Sequence, residues 1–330
     1  MRRLPRHTAA LLVAGLMVCG YAAAVRAADR LSIVDAARNA DANALRALLK
    51  QGADVNAASA DGTTALHWAS YRDNVDIADL LIRAGAKVDA ANDLGATPLW
   101  TASLNGSSAM VKRLLEAGAH PNLALLLGET PLMIAARSGN ADVVTQLIDK
   151  GANVNARGAR GQTALMWAVS EQHPDVVKVL LSRGADIRAR SEVLSQVMAV
   201  PPHGKPEYNR MIPFGGEDAL MFAARVGDLA SARLLLAAGA SVNDADAWGV
   251  SAMVLAAHSG FTEMVEFLLD NGADANAAGP GFTALHEAIM RRDEKMVAAL
   301  LAHGANPNTP LQTWTPERRS SEDFNFAPAL

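Results

Sequence analysis

The sequence predicts a mostly α-helical solenoid of eight helix-turn-helix units with connecting loops displayed along one side, and three observations predict it. Gly62, Gly95, Gly128 and Gly161 stand 33 residues apart, each followed two positions on by Thr and an apolar helix start: GTTALHWA, GATPLWTA, GETPLMIA and GQTALMWA. The frame returns as GEDALMFA at Gly216, GVSAMVLA at Gly249 and GFTALHEA at Gly281. A parallel marker of the GADVN type begins at Gly52, Gly85, Gly118, Gly151, Gly184, Gly239, Gly272 and Gly304, at spacings of 33, 33, 33, 33, 55, 33 and 32. Half of the 330 residues are hydrophobic but only 5% are aromatic, which suits thin layers of small helices better than one thick core.

Residues 1–27 read as a signal peptide. Arg2, Arg3 and Arg6 precede an uncharged stretch from Thr8 to Val25, and Val25-Arg26-Ala27 offers a cleavage site after Ala27. The rival reading is an uncleaved anchor, which the Ala and Gly content of the stretch disfavours. Val18 before Cys19 does not fit a lipoprotein signal, and the arginine pair lacks the apolar pair of a twin-arginine signal, so the general secretory route is expected. Removing these residues leaves 26 basic and 34 acidic residues, a formal −8, and no cysteine. That balance argues against nucleic-acid binding, which needs a basic surface. A thiol-free chain suits an oxidising compartment and excludes cysteine catalysis, cysteine–zinc sites and disulfides.

The solenoid is expected over 28–308, in units 31–60, 61–93, 94–126, 127–159, 160–191, 214–247, 248–279 and 280–308. In the fourth unit Thr130 can cap the first helix and Pro131 fits its first turn. Val143, Val144, Leu147 and Ile148 form one apolar face of the second helix, and Gly151 ends it in a left-handed turn. One thin pair buries too little to fold alone, so neighbours must stack.

Residues 192–213 are an insertion in the projecting loop between units five and six, where 22 extra residues leave the stack undisturbed. Ser191 is expected to cap a short helix with Leu194, Val197 and Met198 on one face, stopped by Pro201-Pro202. With Tyr208, Arg210 and Met211, residue types enriched at interfaces, the segment reads as a finger or lid over the concave groove. A passive loop and a cover for Leu125–Leu127 are the alternatives. Residues 309–330 form a tail, read as a second inserted loop before an absent repeat: the eighth unit's second helix (Met296, Val297, Ala299, Leu300, Leu301) has an interior-type apolar pattern.

TALH at 64–67, TPL at 97–99 and 130–132 and the recurring GA-x-VN resemble the ankyrin repeat, and the resemblance covers about residues 31–308. Pro stands in the TPL position only at 98 and 131, and the first unit lacks the turn glycine. The resemblance implies L-shaped units, helix-turn-helix joined by projecting β-hairpin-like loops, whose loop tips and exposed first-helix sides form a binding surface. It assigns His67 and His286 a structural role, bonding to nearby backbone.

The residues show no catalytic pattern. His120, His173, His258 and His303 are scattered over separate units with no metal-ligand spacing, and no phosphate loop or nucleophile elbow occurs. Trp68, Trp100 and Trp167 read as core or groove packing. No cofactor is expected. Candidate partner-binding residues are Tyr71, Arg72, Leu104, Asn105, Arg137, Arg225 and His258 at first-helix ends, Leu126 and Leu127 in the apolar loop NLALLLGE, and Tyr208, Arg210 and Met211 of the insertion. The whole reads as a non-catalytic, monomeric scaffold exported to the periplasm of a Gram-negative bacterium, binding another protein and no nucleic acid, without stable membrane insertion. The alternatives are a small-molecule or enzymatic pocket built on His203, Glu207 and Tyr208, and a membrane-tethered scaffold.

Overall fold

The computed structural model describes residues 32–198 and 210–311. The expected signal peptide, residues 199–209 with His203, Glu207 and Tyr208, and residues 312–330 lie outside the described residues, as does the side chain of Arg210. Contacts divide the chain into two units, Met1–Lys87 and Val88–Leu330. The first holds α1 (Ile33–Arg38), α2 (Ala42–Lys50), α3 (Ala65–Tyr71) and α4 (Val75–Arg83). The second holds α5 (Pro98–Leu104), α6 (Ser108–Glu116), α7 (Pro131–Ser138), α8 (Ala141–Asp149), α9 (Ala164–Ser170) and α10 (Pro174–Ser182). A two-stranded ribbon, β1 (Val193–Met198) and β2 (Arg210–Gly215), follows. Then come α11 (Ala219–Val226), α12 (Leu229–Ala237), α13 (Ala252–Ser259), α14 (Thr262–Asp270), α15 (Ala284–Arg291) and α16 (Glu294–Ala302).

Each first helix starts where the recurring Thr or its substitute stands. The side chains of Thr97, Thr130, Thr163, Asp218 and Ser251 accept the N–H three residues on, satisfying a donor that the helix itself leaves open, for about 1 kcal/mol each. Small residues keep these helices thin: Ala102, Ala135, Ala136, Ala168, Ala223, Ala256 and Ala288 are fully or almost fully buried. First helices α5, α7, α9, α11, α13 and α15 therefore pack in one layer, and α6, α8, α10 and α12 pack beside them, as do α14 and α16. The expected apolar face of α8 is buried at Val143, Val144 and Leu147, with Ile148 half-buried at its rim. Gly151 has φ of 89°, and a Cβ there would touch nothing within 4 Å, so backbone handedness alone demands glycine.

The Asn of the GADVN marker has a task that spacing alone did not reveal. Asn122 donates its amide to the Gly151 carbonyl (2.9 Å) and accepts from the Asn153 N–H (2.7 Å) in the next repeat. Asn155 does the same with Gly184 and Asp186, Asn243 with Gly272 and Asp274, and Asn276 with Gly304 and Asn306. Asn56 staples Gly85 and Lys87 likewise. A side-chain amide donates and accepts at once, whereas a carboxylate only accepts; Asp89 accordingly keeps the accepting half, to the N–H of His120.

The fifth repeat carries Arg188 in that position, and a different clasp holds its junction with the sixth. Arg190 donates to the carbonyls of Gly216 (2.9 Å) and Ala245 (2.7 Å) and to the carboxylate of Asp244 (2.6 Å), with Asp218 at 3.8 Å. One planar guanidinium thus ties the strand entering the insertion, the chain leaving it and the following loop.

Residues 193–198 form a strand and not the expected helix. β1 and β2 pair antiparallel, in register from Val193↔Gly215 to Met198↔Arg210. The i, i+3, i+4 spacing of Leu194, Val197 and Met198 was one of two patterns in VLSQVM; the other is the alternation Val193, Ser195, Val197. A distant partner, Met211 to Phe214, selects the second, and the stem is fixed by bonds from Ser191 N–H to the Glu217 carbonyl (2.9 Å) and from Glu192 N–H to that of Arg160 (2.7 Å). The insertion occupies the loop between α10 and α11, and across it α9 still packs on α11 and α10 on α12.

Candidate protein-interaction surface

First-helix ends carry most of the candidate residues, and neighbouring repeats hold them in place. In the first unit the Arg38 guanidinium lies 4.6 Å from the Trp68 ring centre, Tyr71 meets that ring edge-on at 5.8 Å, and Arg72 donates to the Arg38 carbonyl (3.2 Å). Tyr71 remains exposed on this support. In the second unit Leu104 and Asn105 close α5, exposed at its end. Arg137 lies 5.5 Å from the Trp167 ring centre, a cation–π pairing that orders a long side chain.

Two further positions rest on buried carboxylates that sequence reading missed. Arg225 pairs with Glu217, which is buried, and lies 5.7 Å from the Phe222 ring. Burial lowers the Arg225 pKa, against an upward pull from Asp246. His258 places Nδ1 3.1 Å from the carboxylate of buried Glu287, and Arg291 donates to the His258 carbonyl (2.9 Å). Glu217 precedes a helix cap and Glu287 lies in the first turn of α15, so local pattern gave no sign that either reaches a side chain of the groove row. Arg137, Arg225 and His258 thus stand in a row of first-helix ends, held by Trp167, Glu217 and Glu287 respectively.

The ribbon joins this row. Leu194 and Phe214, an opposed cross-strand pair, line a small cleft with Arg160, Glu192, Glu217, Phe222 and Arg225. Its cavity of about 90 Å³ falls short of the roughly 300–1,000 Å³ of small-molecule sites, so it reads as a seam between ribbon and groove. Leu194 and Phe214 stay 41% and 49% exposed, available to a partner lying along the seam. Among the described residues no group of three His, Cys, Asp or Glu is placed to hold a metal ion, and no helix is long and apolar enough to cross a membrane.

Loop tips form the other part of the surface. Leu126 donates its N–H to the Leu94 carbonyl (3.1 Å), and Ala247 donates to that of Gly215 (3.0 Å), so the ribbon stands within a row of laterally bonded tips. Leu125 is half-buried, but Leu126 and Leu127 are 77% and 74% exposed, with exposed Leu94 beside them. The described residues of the insertion do not cover them. Met211 is likewise exposed, on β2 opposite Val197.

His67 and His286 do bond to nearby backbone: the N–H of Thr64 donates to His67 Nδ1 and that of Thr283 to His286 Nδ1, each at 3.1 Å. Burial depresses the His286 pKa, outweighing the upward pull of the Thr309 backbone and Glu287. The unfolded imidazole titrates near 6.5 and the folded one lower, so this contribution to stability is full above about pH 6.5 and is lost as pH falls through that value toward the folded pKa. Thermal melts at pH 7.5 and 5.5 should show a larger fall in Tm for the wild type than for His286→Gln; equal falls would contradict it.

A family model described as ankyrin repeats (3 copies) matches residues 33–124, 121–191 and 216–310. The chain belongs to the ankyrin repeat family. The gap between the last two matches falls on the ribbon, so the insertion is this ankyrin repeat protein's addition to the shared frame. Over 94 residues the chain is 39% identical to an ankyrin repeat-containing protein of Treponema pallidum (strain Nichols), an alignment covering 28% of this chain and 32% of that one. It is 37% identical over 90 residues to the ankyrin repeat domain-containing protein SAT10 of Stachybotrys chartarum (strain CBS 109288 / IBT 7711), covering 27% of this chain and 5% of the other. The matched region thus spans about a third of the first relative and a twentieth of the second. Among solved structures, the ankyrin repeat domain of human ASB11 superposes with a TM-score of 0.59 at 28% identity, over 72% of this chain and 98% of that one. Ankyrin repeats are in general protein–protein interaction modules.

Proposed function

We propose that this ankyrin repeat protein is a non-catalytic scaffold that binds another protein along its first-helix ends and the inner face of the ribbon, with the loop tips continuing that surface. The observation that carries the reading is the seam: Leu194 and Phe214 lean beside Arg225 and Phe222, leaving apolar side chains exposed next to an arginine held by Glu217. An apolar patch rimmed by ordered arginines suits recognition of a protein surface. Leu104 and Asn105 extend the candidate surface within the second unit; Tyr71 and Arg72 of the first unit, with Tyr208 and Arg210, are further candidates on their sequence positions. Export to the periplasm is part of the proposal, supported by the charged start, the uncharged stretch and the cleavage site of residues 1–27 and by the lack of cysteine after them.

Deleting residues 192–213 tests it. The α9–α11 and α10–α12 packing and the Arg190 clasp lie outside the deletion, and shortening the loop changes closure entropy by only about 1 kcal/mol. Melting should be nearly unchanged, while recovery of the partner from a periplasmic extract should fall at least tenfold, about 1.4 kcal/mol of binding. Retained capture with unchanged melting would make the ribbon passive and refute its place in the binding surface. A collapse of melting would make it a structural cover.

A further inference from the structure

We infer that the outer edge of β1 pairs with the same edge of a second copy, joining two ribbons into one four-stranded antiparallel sheet. The inference names the occupant of the loop-tip end of the surface proposed above and rests on that reading only in taking the tips as an interaction surface.

The ribbon has two edges, and they differ. The Gly215 carbonyl is taken by Ala247, so Gly215 directs its backbone groups away from β1. Pro213, two residues back, shares that direction and has no N–H to offer. The β2 edge is therefore occupied at its base and blunted by proline, as natural sheets protect their edges. The β1 edge has no such protection: from Val193 to Met198 it carries no charge and no proline. Since Val193 opposes Gly215 and Ser195 opposes Pro213, residues Val193, Ser195 and Val197 turn their N–H and C=O groups outward. Beyond Glu192, no backbone bond from a described residue reaches this edge.

The edge is complementary to itself. A two-fold axis at Ser195 sets Ser195 against Ser195 of the second copy, Val193 against Val197 and Val197 against Val193. The outward-facing residues then meet one another, so backbone bonds form along the joint. The same register places Glu192 opposite Met198, so no like charges meet. Val193, Val197 and Met211 share one face of the ribbon and are 53%, 55% and 62% exposed; pairing brings the valines of both copies together there.

The remaining area lies beside the edge. Glu192 bonds to Arg160, so β1 faces the tip of the fifth repeat, and the Gly128 turn of the fourth packs against Gly158 beyond it. Strands added at about 4.8 Å intervals would extend roughly 10 Å over these tips, toward Leu126 and Leu127. Each ribbon would thus cover the leucines of the other copy, adding apolar area toward the roughly 800 Å² a side of a stable interface. A two-stranded ribbon is marginal alone, whereas four strands with an apolar face are not.

Light scattering on the full chain over roughly 1–100 µM should give twice the monomer mass. With Cys19, the chain's one cysteine, replaced by serine, Ser195→Cys should cross-link two copies on oxidation. The two-fold puts its Cα atoms about 5.5 Å apart, within disulfide reach. Gln196→Cys meets its counterpart only diagonally, at about 7–8 Å, and should not cross-link. Ser195→Pro removes an outward donor and Val197→Lys sets a charge against Val193; each should weaken self-association at least tenfold while groove capture persists, which separates this inference from the scaffold reading. A wild type that stays monomeric throughout, a folded edge variant that stays dimeric, or cross-linking of Gln196→Cys as fast as Ser195→Cys would overturn the proposal.

Discussion

Arg190→Ala is expected to lower stability by about 2–4 kcal/mol and to uncouple the fifth repeat from the sixth. The guanidinium makes three hydrogen bonds of 2.6–2.9 Å to groups from different segments, two of them backbone carbonyls. Charge-assisted bonds contribute about 1.5–3 kcal/mol each at most, and partial exposure of the arginine lets water recover part of the loss. Among the described residues no asparagine staple lies at this junction, where Arg188 stands in the asparagine's place. Chemical denaturation should show a reduced midpoint and a broader transition, and native-state hydrogen exchange should show faster exchange in α10 and α11 than in α7. Arg190→Lys keeps the charge but not the fork and should recover only part of the loss. A loss below about 1 kcal/mol would show the layer contacts to be sufficient alone.

Gly215→Val is expected to have the largest effect on the ribbon. A Cβ at Gly215 would lie 2.1 Å from the Glu192 carbonyl oxygen, and the residue has φ of 101°, outside the range a branched side chain adopts. The neighbour is backbone at the ribbon's own base, with no flexible end to yield. The strain, above about 3 kcal/mol, exceeds what a two-stranded ribbon holds by itself, so the ribbon should unzip while the helices remain stacked. Amide protection at Leu194 and Gln196 should vanish with little change in the main melting transition. Retained protection would mean the stem can shift to admit the side chain.

The repeat frame was legible because it rests on local requirements that recur. The GADVN glycines all have φ between 80° and 96°, and Thr64, Thr97, Thr130, Thr163 and Thr283 all stand at helix starts. Handedness and capping are decided within a few residues, so one sequence suffices to read them. The ribbon was misread because VLSQVM satisfies helical and alternating patterns alike, and the choice depends on a partner strand beyond Pro201-Pro202. Arg190, Glu217 and Glu287 escaped notice for the same reason: each acts on groups 8 to 55 residues away, and nothing local distinguishes them from surface charges. The exposed tip was half legible. NLALLLGE announced an apolar tip, but whether anything covers Leu126 and Leu127 depends on how neighbouring loops lie.

The two kinds of inter-repeat tie also set an order of events during synthesis. Asparagine staples close over 28 to 31 residues, so repeats three to five can dock in turn as each emerges. The Arg190 clasp closes over as many as 55 residues and needs Asp244 and Ala245. Its additional loop-closure entropy is slight, about 0.5 kcal/mol, but the delay is not. At roughly 5–20 residues per second, those 55 residues take about 3–11 s to translate. For that interval a nascent chain holds an uncharged strand fastened at its base by Glu192 and Ser191 but not yet tied to the following loop, which makes this junction the last of the fifth repeat's ties to close.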